Sequence, residues 1–179
     1  MYVVTCLGNP GKKYINNRHN IGFILGEFLI QKYQVSISSS SFLAISGKMT
    51  IRMMEVLLLL PQSYMNKTGV SVRKALEFYK VQPDHLVAIH DDIELPFGLF
   101  KKKFGGGHKG HNGIRSIIQE IGTPDFHRIR FGVGRPANQE TAVADHVLSN
   151  FTKEELIKIQ ELAPAAEEML IAIFTTEAG

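Results

Sequence analysis

The strongest constraint on this chain is the rhythm of its apolar segments. Short uninterrupted runs that stop at Gly, Pro, Asn or Asp alternate with stretches whose apolar residues recur every three or four positions. Tyr2 to Leu7 is one such run and ends in Gly8-Asn9-Pro10-Gly11; Leu86 to His90 is another and ends in Asp91-Asp92. Between them, Ile21, Ile24, Leu25, Phe28 and Leu29 follow the spacing of one helix face. A strand without polar alternation needs cover on both sides, and interleaved helices supply it. The expected architecture is α/β: a single three-layer α/β/α domain over residues 1–179 with a twisted mixed sheet.

The remaining segments extend this pattern. Phe42 to Leu60 reads as a hairpin with two candidate turns, Ser46-Gly47-Lys48 and Arg52 to Glu55, of which the second is favoured. Residues 67–80 read as a helix, and Gly98 to Phe104 as a strand with Lys101 and Lys103 on one face. Ile114, Ile117, Ile118 and Ile121 mark a short helix, and His127 to Val133 a strand with Arg128 and Arg130 on one face. Thr152-Lys-Glu-Glu155 is a capping box opening a long helix that Pro164 should bend.

Composition narrows the function classes. The lone Cys6 lies in an apolar run and cannot form an internal disulfide, which fits a buried thiol in reducing cytoplasm. The start of the chain lacks a basic segment and cleavage site, and Val56 to Leu60 is far short of the roughly 20 apolar residues that span a bilayer, so no membrane partner is expected. Net charge is only +3, but between Leu95 and Gln119 there are five Lys or Arg residues and no Asp or Glu. That segment suits phosphate or a solvated surface equally well.

Five short blocks carry the candidate chemistry: Leu7-Gly-Asn-Pro-Gly11, Arg18-His19-Asn20, Tyr64-Met65-Asn66, His90-Asp91-Asp92 and Gly105 to Gly113. Asn binds carbonyl groups without adding charge, His takes a proton from water near neutral pH, and Asp orients such a His. Ser36 to Ser41 lacks the Gly-x-Ser-x-Gly elbow of a serine nucleophile. Water attack on a carbonyl-bearing substrate is the first reading. Asp91 and Asp92 could bind a cation, but no His-x-x-x-His spacing accompanies them; His108 and His111, three apart in the Gly-rich loop, keep zinc open as a weak alternative. Gly105, Gly107 and Gly110 formally match G-x-G-x-x-G between a strand and a helix, which leaves a nucleotide-dependent enzyme as a rival; a noncatalytic RNA-binding module is another.

Taken in order, the five blocks closely resemble the bacterial peptidyl-tRNA hydrolase family, with similarity from about Val3 to Val133. The resemblance implies hydrolysis of the ester between a peptide and the 3′ ribose of tRNA, with no metal required and no cofactor; a cytoplasmic monomer is the default expectation. It implies His19 as proton acceptor, Asp91 as its carboxylate and Asn9 as the residue that separates blocked from free aminoacyl groups. Tyr14, Tyr64, Met65, Asn66 and Asn112 match substrate contacts, Asn112 being also the candidate for oxyanion stabilisation. Lys103 and Arg130 match a clamp for the tRNA 5′ phosphate beside the acceptor stem and 3′ end. Two residues depart from the pattern: Asn17 stands where Thr is usual, and Lys109 replaces a usual Gly. The chain ends at Gly179, ahead of the basic final segment of many relatives.

Overall fold

The computed structural model describes residues 1–177. Six strands, β1 (Tyr2–Cys6), β2 (Ala44–Ile51), β3 (Met54–Pro61), β4 (Leu86–Asp92), β5 (Phe100–Phe104) and β6 (His127–Gly132), form one sheet in the order β2-β3-β1-β4-β6-β5. The four central strands run parallel, and the two edge strands, β2 and β5, are antiparallel to their neighbours. The mixed sheet is as expected from the alternation of strands and helices.

Strand alternation divides the core in two. Tyr2, Val4 and Cys6 point to a layer formed by α1 (Ile21–Lys32), α5 (Lys153–Leu162) and α6 (Pro164–Glu177). Val3 and Leu7 point to the opposite layer, formed by α2 (Thr68–Tyr79) and α3 (Asn112–Ile121). Phe126 and Phe131 are fully buried, one in each layer. Burial of a side chain of that size contributes about 1.5–3 kcal/mol.

Several boundaries differ from the sequence reading. The β2–β3 hairpin closes at Arg52-Met53, both with positive φ (50° and 67°), a two-residue turn inside the favoured candidate. β4 continues through Asp92, so Asp91 lies within the strand's last pairs instead of beyond its end. β5 begins at Phe100 because Gly98, at φ +85°, turns the chain first. The long C-terminal helix is two helices separated at Ala163, where Pro164 starts α6 without a donor to continue the ladder. The Thr152–Glu155 capping box is present, with both reciprocal bonds formed. A short helix, α4 (Val143–Val147), carries no clear apolar period and was not anticipated.

Candidate active site

His19 and Asp91 meet at the carboxyl end of the sheet. His19 belongs to a one-turn 3₁₀ segment, Arg18–Asn20, that leads directly into α1. Close packing of α1 on the strand ends brings that turn over β4. A Cβ on Gly22 would meet the Leu7 amide nitrogen at 2.4 Å and the Ile89 carbonyl at 2.5 Å, so only glycine permits the approach. His19 Nδ1 then lies 2.8 Å and 2.9 Å from the two Asp91 carboxylate oxygens, with both residues buried (9% and 3% exposed).

Electrostatics fix the protonation pattern. Burial disfavours charge on His19, but the charge and hydrogen bond of Asp91 outweigh it, leaving the imidazole above its ordinary range. Burial likewise opposes ionisation of Asp91, and His19 and His111 overcome it, so the carboxyl stays well below the usual carboxylate range. His19 Nδ1–H therefore donates to a carboxylate. Its other nitrogen, Nε2, has no protein partner among the described residues. The ring lines a cavity of about 360 Å³ together with Asp91, His111, Asn112, Lys109 and Val143.

The sequence reading gives His111 only as a weak zinc candidate beside His108. The His111 Nδ1 accepts from the Gly113 and Ile114 amides, capping α3, while Nε2 lies 2.9 Å from Asp91 Oδ1. A nitrogen that accepts two amides carries no proton, so the proton is on Nε2 and is donated to Asp91. His19, Asp91 and His111 are close enough to hold a metal ion. The tautomer argues against it, because His111 presents Asp91 with an N–H and no lone pair. His108 Nδ1 is similarly taken by the Gly110 amide. Both histidines of the zinc alternative thus serve the loop's own backbone. Behind them His90 packs edge-on against His111, donates Nδ1–H to the Asp91 carbonyl, and is held neutral chiefly by burial, with its pKa down to about 3.

A second, uncharged network forms at the end of β1. Asn20 Oδ1 accepts the Asn9 amide at 2.9 Å, and Asn20 Nδ2 donates to the Asn9 carbonyl at 2.9 Å. Asn9 Oδ1 accepts the Met65 amide at 2.8 Å. With its oxygen committed, the buried Asn9 side chain has only its NH₂ group free to meet a ligand. Met65 contributes that amide and a buried side chain against Gly113, whose Cβ would reach Met65 Sδ at 2.6 Å. Asn66 and Asn112 are exposed at the starts of their helical turns, and Tyr64 is 59% exposed. Tyr14 is half-buried with Lys13 Nζ 4.8 Å from its ring centre.

The basic residues gather on β5 and β6. Register sets Lys103 opposite Arg128 and Lys101 opposite Arg130, so Lys103 and Arg130 are diagonal neighbours on one face, as the alternation implied. Desolvation, then repulsion from Arg128, Lys109 and Arg130, lowers Lys103. Arg130 pairs with Asp92 at 3.0 Å, whereas Arg128 is buried and donates to the Gly106, Gly107 and Pro124 carbonyls. Arg128 is thus the internal brace of the glycine-rich loop. The dinucleotide reading of that loop is overturned by topology. A G-x-G-x-x-G fingerprint needs a parallel βαβ unit, and β5 runs antiparallel to β6.

The chain is similar to known proteins along nearly its whole length. A family model described as peptidyl-tRNA hydrolase matches residues 3–178. The chain is 41% identical over 174 residues to a peptidyl-tRNA hydrolase of Sorangium cellulosum, covering 97% of this chain and 78% of that one. It is 40% identical over 173 residues to one of Geobacter sulfurreducens, covering 97% and 89%. Its fold is similar to the crystal structure of peptidyl-tRNA hydrolase from Acinetobacter baumannii, with a TM-score of 0.90, 36% identity and coverage of 99% and 90%. With a model match across nearly the whole sequence and relatives of this identity, the chain belongs to the peptidyl-tRNA hydrolase family.

Proposed function

We propose that this enzyme hydrolyses the ester between a peptide and the 3′ ribose of tRNA by general-base activation of water at His19, within a single domain spanning residues 1–179. The observation that carries the reading is the His19 Nδ1 to Asp91 bond of 2.8 Å in a ring whose Nε2 has no protein partner. Neutral His19 takes a proton from water through Nε2 as the water attacks the ester carbonyl. Asp91 fixes the tautomer and stabilises the imidazolium that results, while His111 holds the carboxylate. Such base catalysis is worth roughly 10² to 10⁴ in rate. Asn112, lining the same cavity, is assigned to the tetrahedral oxyanion, where one donor is worth about 10² to 10³. The departing group is an alkoxide of the ribose, which takes the proton back from His19. The residue chemistry is complete without a Lewis acid.

Substrate selection follows from the free NH₂ of Asn9. It donates to a peptide carbonyl, whereas a free α-ammonium would present only donors to it and would lose its water. Asn66, Tyr14 and Tyr64 extend the binding surface towards the peptide and the 3′ end. Lys103 and Arg130 receive the 5′ phosphate of the acceptor stem. No helix among the described residues is long and apolar enough to cross a membrane. From the lone Cys6 in an apolar run we assign the enzyme to the reducing cytoplasm, with a monomer as the working state.

The test is incubation with an N-acyl-aminoacyl-tRNA in EDTA, with release of the N-acyl amino acid measured directly. Release that disappears in His19→Ala supports the assignment; an intact ester with wild-type protein would reduce the chain to an RNA-binding module.

A further inference from the structure

The loop that carries His19 is fastened to a distant part of the chain, and the proposed mechanism does not use the fastening. Asn17 forms an antiparallel bridge with Asn150. The Arg18 amide donates to the Ser149 carbonyl at 3.0 Å, and the Phe151 amide to the Asn16 carbonyl at 2.8 Å. Asn17 is buried, and its side-chain amide donates to Asn150 Oδ1. The Arg18 guanidinium completes the clasp. One nitrogen donates to Ser149 Oγ and the Asn150 carbonyl, the other to both Glu155 oxygens at 3.1 and 3.3 Å, above the Phe151 ring. The Arg18 side chain is only 13% exposed.

We propose that Arg18 is a positioning residue for the hydrolysis, its clasp on residues 149–155 fixing the 3₁₀ turn that presents His19 to Asp91. Three features support this. The clasp grips the residue adjacent to the base, and a one-turn 3₁₀ segment has few internal bonds to hold itself. Its planar fork satisfies a carboxylate, a hydroxyl and a carbonyl together, a geometry that Lys cannot reproduce. Its far end is rigid, because Glu155 is also the third residue of the capping box that starts α5. Residues 143–147, just before the clasp, supply Val143, Ala144 and Val147 to the cavity that His19 lines. One device therefore registers the base against a wall of the cleft. The departure at position 17 belongs to it too, since Asn17 pairs with Asn150 side chain to side chain.

This inference rests on His19 being the base, and the two are tested separately. His19→Ala tests the base alone. For the clasp, Arg18→Ala, Arg18→Lys and Glu155→Gln are compared for kcat, KM, the acid limb of the kcat profile and melting temperature. Glu155→Gln keeps the capping box, which accepts Gln at this position, and removes only the charge offered to Arg18. The groups facing His19 are Asp91 from β4 and His111 from the cap of α3. Displacement of the ring from Asp91 should move the acid limb to lower pH. Expected are a fall in kcat of about 10- to 100-fold for Arg18→Ala with KM little changed, a smaller fall for Arg18→Lys and Glu155→Gln, and a lowered acid limb in each. If Arg18→Ala does not fold, the other two decide. Unchanged kcat and an unmoved acid limb in the folded variants, whatever their melting temperatures, would overturn the proposal and leave Arg18 a stabilising residue only.

Discussion

The two networks at the strand ends solve opposite problems with the same device. At β1, Asn9, Asn20 and the Met65 amide form a neutral cluster in which the Asn9 NH₂, a donor, has no protein partner among the described residues and is left for a ligand. At β4, Asp91 receives N–H bonds from both His19 and His111, and the uncommitted group is an acceptor, His19 Nε2. One half can hold a carbonyl and the other can take a proton from water. In each case the useful atom is defined by committing its partner atom elsewhere. Neutrality on one side and charge on the other fit the proposed tasks, because an amide carbonyl is recognised by dipoles whereas an imidazolium forming during reaction needs a carboxylate.

The widest separation of the two halves should come from the charged one. His19→Ala is expected to lower kcat by roughly 10² to 10⁴ with KM and tRNA affinity nearly unchanged, as read by single-turnover hydrolysis beside a binding assay. Equal losses in kcat/KM and in affinity would merge the halves into one binding surface. On the neutral side, Asn9→Asp preserves an acceptor for the Met65 amide while replacing the free donors with charge. A loss of about 10-fold to 10²-fold in kcat/KM for blocked substrates is expected, together with a narrowed preference over free aminoacyl-tRNA. An unchanged preference would remove Asn9 from substrate selection.

A smaller effect concerns pH. On the proposed mechanism the working form of His19 is neutral, and its pKa is raised, so kcat should rise with pH through a midpoint above the ordinary imidazole range and then level. Asp91→Asn removes the group that raises His19, and the limb should move down as the rate falls. A midpoint that stays in place would show that another group titrates. The smallest effects are expected outside both networks. Lys103→Ala and Arg130→Ala should raise KM at low salt and each reduce the slope of log affinity against log salt by about 1, with kcat intact. Arg130 differs in having Asp92 as a partner, so its removal also exposes a carboxylate to the incoming phosphate.

Much of this was legible in the residues themselves. The runs ending at Gly8 and Asp91, the helix period from Ile21 to Leu29 and the Thr152–Glu155 box are local patterns, and backbone sterics and burial translate them directly into elements. The five blocks contained His19, Asp91 and Asn9, and also Asn20 and His111, whose structural roles were not read there. Residue type shows that Asn and His can bond, but not which of their atoms remain free, so Asn20 had no role to read and His111 only that of a zinc candidate. The helix Val143–Val147 escaped because five residues are too few to display a period.

Sequence by itself determined the layered sheet, the family and the kinds of side chain that reach the cleft, since these depend on neighbours within a few positions. Tertiary structure alone decided the tautomer of His111, the commitment of Asn9 Oδ1 to Met65, the pairing of Arg130 with Asp92 and the clasp of Arg18 on Glu155. Each joins groups set by strand order or helix packing. A hydrogen bond discriminates over a few tenths of an ångström, a distance that no pattern of residue types encodes.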